Sequence, residues 1–338
     1  MKNLQTSYTP RGKNRVLLLL GMLALLSVAV SLCVGSVRLS FAEVWSVLLG
    51  RVDSGTAYTI LRHSRIPRTL GCVLAGCGLA VSGAIIQSVL ANPLAAPNII
   101  GVNSGAGLMV ALSCALFPAA AAVLPLLAFL GALGGVMLVL FLANRTGAAR
   151  ITLVLAGVAV SSIFSAGIDA VVTFVPEALN AYSDFRIGGM DNLSMEKLLP
   201  AGGMILFALT VSLFLCPELD ILMLGEDTAR SLGLNVSRMR LVLLTLGAAL
   251  AGSAVSFCGL LGFVGLIVPH IIRRLLGEEG RPLILGCAFG GAALLTVCDV
   301  LARTLFSPYV LPVGIVLSLL GGPFFIWLIL GQRGGRSV

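Results

Sequence analysis

Residues 16–36 read VLLLLGMLALLSVAVSLCVGS, a run of 21 residues without a charged side chain. About 20 apolar residues are enough for a helix to cross the hydrocarbon core of a bilayer. Comparable runs recur almost to Leu330, separated by short polar or Gly/Pro-marked joints. Backbone groups in lipid must pair internally, and these runs lack the polar and apolar alternation of a barrel strand. The sequence therefore predicts an all-α membrane protein.

Composition agrees with this prediction. The chain is 58% hydrophobic and 11% charged, whereas an ordinary soluble domain carries about 25% charged residues. The net charge of +8 is spread over many short loops, which argues against nucleic acid as a partner and for a lipid bilayer. Many of the 40 glycines lie inside apolar runs, as in Gly131 to Gly135 and Gly286 to Gly290, where they let helices approach closely.

We expect ten spans, and their boundaries are 16–36, 66–90, 98–117, 121–142, 151–175, 199–216, 239–258, 260–272, 283–301 and 311–330. Cytoplasmic segments then hold 14 of the 22 basic residues, so the positive-inside rule places both termini in the cytoplasm of a bacterial cell. Residues 239–272 also suit one long helix, which would give nine spans and place the C-terminus outside. Gly259, Gly262 and Gly265 favour a break there.

The N-terminus resembles a secretory signal, because Arg11, Lys13 and Arg15 precede the first apolar run. No A-x-A-like cleavage site follows, so we interpret the run as a retained span. The predicted organisation is a cytoplasmic segment 1–15, a single membrane domain 16–331 with a cytoplasmic loop at about 217–238, and a tail 332–338.

Several basic residues fall on the outer side, against the positive-inside rule. Arg62, Arg65 and Arg68 cluster in RHSRIPRTL, and Arg303 follows the ninth span. One interpretation is that these side chains reach lipid headgroups. The other is that they receive acidic side chains of a partner protein, since the guanidinium group binds carboxylates through two hydrogen bonds.

The cytoplasmic loop contains a polar segment, GEDTARSLG, at residues 225–233. Gly225 and Gly233 are suited to bound a short helix, with acidic residues in its first turn and Arg230 later. Such a helix either lies on the membrane or docks into another subunit.

Polar groups within the spans are candidates for a transport pathway. In the fifth span they are Ser161, Ser165 and Asp169, on a helix rich in small residues; around the second loop they are Gln87, Asn92 and Pro93. Intramembrane carboxylates, here Asp169 and Asp299, mark functional sites by default, although interhelical hydrogen bonding is an alternative. The scattered cysteines and the two histidines predict no metal site.

Four blocks of sequence carry a resemblance to a known family. They are RIPRTLGCVLAGCGLAVSGAIIQSVLANPLAAPNIIGVNSGAG, LGEDTARSLGLNV, GLLGFVGLIVPHIIRRLLG and CDVLARTLFSPYVLPVGIVLSLLGGPFFIWLIL. Together they resemble the iron-complex permease family of binding-protein-dependent ABC importers, which transport ferric siderophores, haem or vitamin B12. The resemblance covers residues 15 to 331 and implies a ten-helix subunit that pairs with a second permease subunit, most simply as a homodimer.

The resemblance also implies roles for particular residues. Arg65, Arg68 and Arg303 match the positions that form salt bridges with an extracytoplasmic substrate-binding protein. The segment that matches the loop coupled to the ATPase comprises Gly225, Glu226, Asp227, Ala229, Arg230, Leu232 and Gly233. No P-loop motif occurs in the chain, so it is expected to be no enzyme, to bind no cofactor itself, and to rely on two ATP-binding subunits for ATP and Mg²⁺.

Other functions stay open at this stage. An ion-coupled secondary transporter would place several ionisable groups at mid-membrane, and a membrane-embedded enzyme would need a catalytic cluster. Within the importer class, a ferric siderophore, haem, cobalamin and an oxyanion are all compatible with the sequence. Phe185 and Arg186 stand where many family members carry a W-x-x-G motif, so the family does not specify the cargo.

Overall fold

The structure is a computed structural model that describes residues 10–333 except 36, 38, 119–121, 146–149, 192 and 308. Most of the predicted N-terminal segment and of the tail lies outside these residues. Residues 10–15, which the sequence analysis assigned to the N-terminal segment, belong to the first helix.

The regular elements of the described residues are helical. The α-helices are α1 (Pro10–Cys33), α2 (Phe41–Leu48), α3 (Thr56–Ile60), α4 (Ile66–Leu90), α5 (Val102–Leu116), α6 (Leu124–Arg145), α7 (Arg150–Phe174), α8 (Ala178–Ile187), α9 (Met195–Phe214), α10 (Cys216–Met223), α11 (Glu226–Ser231), α12 (Val236–Cys258), α13 (Val264–Leu276), α14 (Gly280–Thr304) and α15 (Val313–Arg333). A π-helical turn (Leu61–Arg65) joins α3 to α4, and a 3-10 turn (Pro97–Ile100) precedes α5.

The ten predicted spans correspond to α1, α4, α5, α6, α7, α9, α12, α13, α14 and α15. Seven helices of the described chain are long and apolar enough to cross a membrane, and α4 is extended backward to Thr56 in that count. Two further spans contain shorter apolar stretches, Val102–Leu116 in α5 and Val313–Leu328 in α15, and α13 has 13 residues. The prediction of an all-α protein with about ten membrane helices is confirmed.

Spans seven and eight are separate helices. α12 ends at Cys258, and Gly259 follows with a φ of 71°, which favours glycine. Phe263 takes a left-handed conformation immediately before α13 begins at Val264, and this is a costly conformation for a bulky side chain. The break lies at 259–263, where the glycine series predicted it, although Gly265 itself is helical.

α4 is the central helix of the bundle. Of its most apolar stretch 83% is buried inside the chain, against 17% for α1, so α1 is peripheral. α4 packs against α12, α13 and α14. A Cβ added at Gly76 would collide with the backbone of Gly291 on α14. Because neither residue has a side chain, the two backbones touch, as expected for helices that associate in lipid.

The bundle has two distinct ends. The arginine end carries Arg65, Arg68 and Arg303, near the start of α4 and the close of α14. The loop end carries α10 and α11. Two contacts tie elements together at the loop end: Gly280 N donates to Asp220 Oδ1 at 2.7 Å, and Lys13 Nζ lies 2.5 Å from Glu279 Oε1. These contacts place the N-terminal part of α1 at the same end as α10.

Several short elements were not predicted. The sequence analysis left residues 37–65 without structure, but they contain α2, α3 and the π-helical turn. It also assigned 217–238 to a loop, whereas Cys216–Met223 is helical. These segments are too short to cross a bilayer and too mixed in polarity to stand out as apolar runs.

Candidate functional site

Arg65 is buried at the arginine end, with 4% of its surface exposed. Its Nη1 donates to the carbonyl oxygens of Leu32 and Cys33 at 2.6 and 2.8 Å, and its Nη2 donates to the Val37 carbonyl. Leu32 and Cys33 close α1, so their carbonyls have no partner within that helix. The guanidinium therefore caps the negative end of the α1 dipole.

Arg68 and Arg303 share one buried carboxylate. Asp299 is fully buried, with its Oδ1 2.9 Å from Arg68 Nε and its Oδ2 3.0 Å from Arg303 Nε. Arg68 Nη1 also lies 2.7 Å from Asp191 Oδ1, and Arg303 Nη2 donates to Ser31 Oγ at 2.9 Å. Burying a charge costs less free energy when the charge is paired, and Asp299 supplies such a pairing to both arginines.

This cluster holds three positive and two negative charges. Arg65 has no carboxylate partner among the described residues. Its Nη2 and the Nη1 of Arg303 both lie next to Gly35: a Cβ added to that glycine would be 3.2 Å from the first atom and 3.4 Å from the second. The cluster thus carries excess positive charge beneath the surface of the arginine end. The three arginines are not free side chains in the isolated subunit, because each is buried and bonded within the chain.

The sequence analysis identified the three arginines and Asp299 but missed Asp191. The pair of Asp299 and Arg303 could have been predicted, because residues four apart on a helix face each other. Asp191 gave no such signal, because it lies 123 positions from Arg68 in the chain, in the connection between α8 and α9.

α11 forms as its sequence predicted. Gly225 precedes the helix and Gly233 follows it, with φ angles of 105° and 85°. Only glycine adopts such angles readily. Ala229 is fully buried and holds the helix against the chain, whereas Asp227, Arg230 and Leu232 are exposed. Leu224 and Leu232 flank the helix with 62% and 60% of their surfaces exposed. The segment therefore presents a mixed polar and apolar surface at the loop end.

Glu226 attaches α11 to the membrane helices. Its Oε1 pairs with Arg240 Nη2 on α12, and Arg240 is 4% exposed. Its Oε2 lies 3.7 Å from Arg230, a weaker pair at the surface. Arg240 was not among the predicted coupling residues. The buried pair gives α11 a direct charged connection to the first turns of α12.

Part of the predicted pathway lies in one open groove on α7. The groove has a volume of about 530 Å³ and is lined by Asn98, Ile99, Val158, Ser161, Ser162, Ser165, Ala166 and Asp169. Ser161 Oγ accepts a hydrogen bond from Ser104 Oγ at 3.1 Å. The opposite face of α7, with Leu153, Val160 and Ile168, is buried in the bundle. Hydroxyls and a carboxylate on the open face suit water or a second protein surface better than lipid.

The other predicted pathway residues lie elsewhere. Gln87 is 2% exposed, and its Nε2 donates to the Gly265 carbonyl on α13 at 3.1 Å, so it joins two helices. Asn92 and Pro93 are exposed in the turn after α4, where Asn92 Oδ1 accepts from Leu94 N at 3.0 Å.

The segment around Asn98 separates two cavities. One is the α7 groove, and the other, of about 280 Å³, lies between the 94–103 segment, the 261–266 segment and Phe325. Both segments contain non-helical backbone at the depth of the bundle. Irregular backbone inside a membrane is tolerated where it is buried in protein or lines a water-filled space.

Comparison with known proteins gives close relatives. The hemin transport system permease protein of Yersinia pestis is 38% identical, covering 96% of this chain and 99% of that protein. An Fe(3+)-citrate import system permease protein of Bacillus subtilis is 34% identical, covering 95% and 97%. An Fe(3+) dicitrate transport system permease protein of Escherichia coli is 37% identical, covering 86% and 91%.

A solved structure shows the same fold. An inward-facing metal-chelate type ABC transporter superposes with a TM-score of 0.84 at 28% sequence identity, covering 94% of this chain and 99% of that one. The profile of the FecCD transport family matches residues 23–331. This match covers the second half of α1 and nearly all of the other nine membrane helices, together with the arginine end, α11 and the α7 groove. The chain is therefore a membrane-spanning permease and belongs to the FecCD transport family.

Proposed function

We propose that the chain is the permease subunit of an ATP-driven importer that moves a ferric siderophore or a related iron chelate into the cytoplasm. One observation carries the proposal: an otherwise apolar bundle holds a cluster of three buried arginines at one end and a rigid polar helix at the other. A channel or an ion exchanger needs neither feature. A subunit with a different protein partner on each face needs both.

At the arginine end the partner is an extracytoplasmic substrate-binding protein. Arg65, Arg68 and Arg303 provide charge for its carboxylates. Asp191 is the replaceable internal partner, because 49% of its side chain is exposed, whereas Asp299 is inaccessible. Docking then replaces the contact between Arg68 and Asp191 with a contact between proteins. Exposed pairs are worth about 0–1 kcal/mol each, so docking depends on several pairs and weakens with salt.

At the loop end the partners are two ATP-binding subunits, which supply ATP and Mg²⁺. α11 with Leu224 and Leu232 is the docking element, and the buried pair of Glu226 and Arg240 transmits its movement to α12. ATP binding closes the ATPase pair and shifts the permease between outward and inward access, as a population shift driven by differential binding.

Two copies of the chain face each other across the pathway. The α7 groove supports this arrangement, because its serines and Asp169 require water or protein opposite them. Orientation follows the positive-inside rule, with the arginine end outside and the loop end in the cytoplasm of the bacterial cell.

The cargo is an iron chelate in this proposal, because the names of several relatives specify ferric citrate, ferric hydroxamate or hemin. Haem is the second candidate, since the relative that transports hemin is 38% identical over nearly the full length of both chains. Uptake assays with radioactive iron as ferric citrate, as ferric hydroxamate and as haem distinguish these cargoes. Uptake of none of them would contradict the assignment of an iron chelate.

The docking role is tested with Arg65→Gln and the control Arg62→Gln. Arg62 lies three residues earlier and is exposed, outside the buried cluster. We expect Arg65→Gln to reduce iron uptake while the basal ATPase activity of the assembled complex is kept, and Arg62→Gln to change neither. The charge reversal Arg65→Glu with Arg68→Glu should abolish uptake. Normal uptake in the double variant would refute the docking role.

The coupling role is tested with Arg230→Glu, because Arg230 is 62% exposed and its replacement leaves the interior of the chain intact. We expect less co-purification of the ATPase subunits, or ATP hydrolysis without transport. Gly233→Pro should have a stronger effect, because proline cannot adopt the φ of 85°. Unchanged co-purification and transport in both variants would contradict the assignment.

A further inference from the structure

α2 is a short amphipathic helix at the arginine end. Its start is fixed by a capping box: Ser40 N donates to Glu43 Oε2 at 2.8 Å, and Glu43 N donates to Ser40 Oγ at 3.3 Å. Hydrogen bonds from the Ser40 hydroxyl and backbone lower the pKa of Glu43, so this edge of the helix stays charged and hydrated. Val44 faces the protein and is 3% exposed.

The other face of α2 is apolar and uncovered. Phe41, Trp45 and Leu48 lie at positions i, i+4 and i+7, with 65%, 53% and 47% of their surfaces exposed. The rings of Phe41 and Trp45 stack with their centroids 6.2 Å apart. Three large side chains in one stripe on a helix predict a buried contact. Within the described residues nothing covers them.

The surroundings of α2 indicate which contact this is. The outer surface of α1, which leads to α2, is a continuous apolar face: Leu18, Met22 and Leu25 are 68%, 63% and 72% exposed. In a membrane-spanning helix that face contacts lipid. α2 has eight residues, or about 12 Å of helix, so it cannot cross the bilayer. It follows the end of α1 in sequence and packs against that helix.

Basic and aromatic groups lie nearby at the same end. Arg62 is exposed, and its guanidinium carbon lies 5.8 Å from the centroid of the Tyr58 ring, in the helix that precedes α4. The opposite end of the bundle repeats this combination, with Arg274 5.5 Å from the centroid of the Trp327 ring. Trp45 and Trp327 are the two tryptophans of the sequence. Tryptophan and tyrosine concentrate at both surfaces of a bilayer, and the long side chain of arginine can reach the headgroups from a helix end.

We propose that α2 is a membrane-surface anchor that lies in the headgroup layer at the arginine end, with Phe41, Trp45 and Leu48 inserted among the acyl chains. Its ligand is the lipid surface itself. Arg62 contacts lipid phosphates beside it, which gives this outward arginine a role distinct from that of the buried Arg65 and Arg68. The anchor fixes the height of the segment that leads into the arginine cluster.

The two tryptophans make a direct test possible. Trp327→Phe leaves Trp45 as the single fluorophore, and Trp45→Phe leaves Trp327. Each full-length variant is reconstituted into phosphatidylcholine vesicles in which the quencher is attached either near the headgroup or near the end of the acyl chain. For Trp45 we expect emission at shorter wavelength than for tryptophan in water, and stronger quenching by the shallow label than by the deep label.

Two further variants test the helix face. In the protein that retains only Trp45, Phe41→Ser should reduce quenching by the shallow lipid label. The matched control Ser46→Ala changes a half-buried residue off the stripe and should leave quenching unchanged. Thermal unfolding of each variant verifies that the bundle is folded.

Other occupants of this face give different results. If Trp45 is quenched by iodide in the aqueous phase and not by the lipid labels, α2 lies in water and the proposal is wrong. If neither kind of quencher reaches it, the face is covered by protein, either a second copy or a binding partner, and the proposal is equally wrong. These measurements do not depend on cargo or transport, so they remain informative if the proposed importer function fails.

Discussion

Asp299 pairs with two arginines inside the bundle, and this explains why an intramembrane carboxylate can be structural. Its side chain is inaccessible, and it joins α4 to α14 through Arg68 and pairs with Arg303 on its own helix. Asp191 contacts the same Arg68 from a connection at the surface. The two carboxylates therefore differ mainly in how far they are removed from water.

We predict that Asp299→Ala destabilises the protein far more than Asp191→Ala. Removing Asp299 takes the carboxylate partner away from the buried guanidinium groups of Arg68 and Arg303. Breaking a buried ion pair lowers the free energy of unfolding by about 3–5 kcal/mol. Removing Asp191 breaks a pair that is partly in water, which costs about 0–1 kcal/mol. Thermal unfolding in detergent measures the difference. Similar midpoints for the two variants would show that burial does not control the strength of these pairs.

At the scale of elements, α4 and α14 associate through glycine rather than through large side chains. The Gly131 and Gly135 spacing noted in the sequence also has this function, since Gly131 faces the backbone of Gly105 in α5 and Gly135 faces that of Gly101, just before α5. Gly286 and Gly290 instead make room for side chains of α13. The pair of Gly76 and Gly291 could not be identified from spacing, because the two residues belong to different helices.

We predict that Gly76→Ala destabilises the bundle by about 1–3 kcal/mol, the usual cost of overpacking a tight contact. The added methyl group would collide with the Gly291 backbone, which cannot rotate away as a side chain could. Gly134→Ala is the matched control, because a Cβ there meets nothing within 4 Å. Unfolding midpoints are compared in detergent. A Gly76→Ala protein as stable as the control would show that α4 and α14 can separate at little cost.

At the scale of the whole molecule, α7 presents two kinds of exposed surface. Ser165 and Asp169 line the groove, whereas Ile163 is 68% exposed on the same helix. A water-lined pathway requires the first surface to be hydrated and the second to contact lipid.

We predict that Ser165→Cys reacts with a charged, membrane-impermeant thiol reagent and that Ile163→Cys does not. Thiolate formation needs water, so a cysteine in lipid stays unreactive. Cys33 and Cys114, which are partly exposed, are first replaced by alanine. The labelled fraction is measured by mass spectrometry in vesicles. Equal labelling of the two variants would argue against a pathway along this groove.

Much of this architecture could be predicted from residues 16–36 and the runs that follow them. Lipid requires long apolar helices, and that requirement acts on each segment separately, so the ten spans and the break near Gly259 can be read from local sequence. The ends of α11 could also be predicted from local sequence, because the positive φ angles of Gly225 and Gly233 depend on the residue type at those two positions.

Tertiary structure decided which polar groups are buried and what they contact. The sequence analysis treated the three arginines as side chains available to a partner, but their burial depends on α1, α14 and the connection that contains Asp191. It placed Gln87 with the pathway, and only the packing of the helices shows that its amide nitrogen donates to the Gly265 carbonyl on α13. The free energy of a charge depends on its distance from water and from opposite charges. Those distances are set by helices far apart in sequence, so they exist only after the bundle has packed.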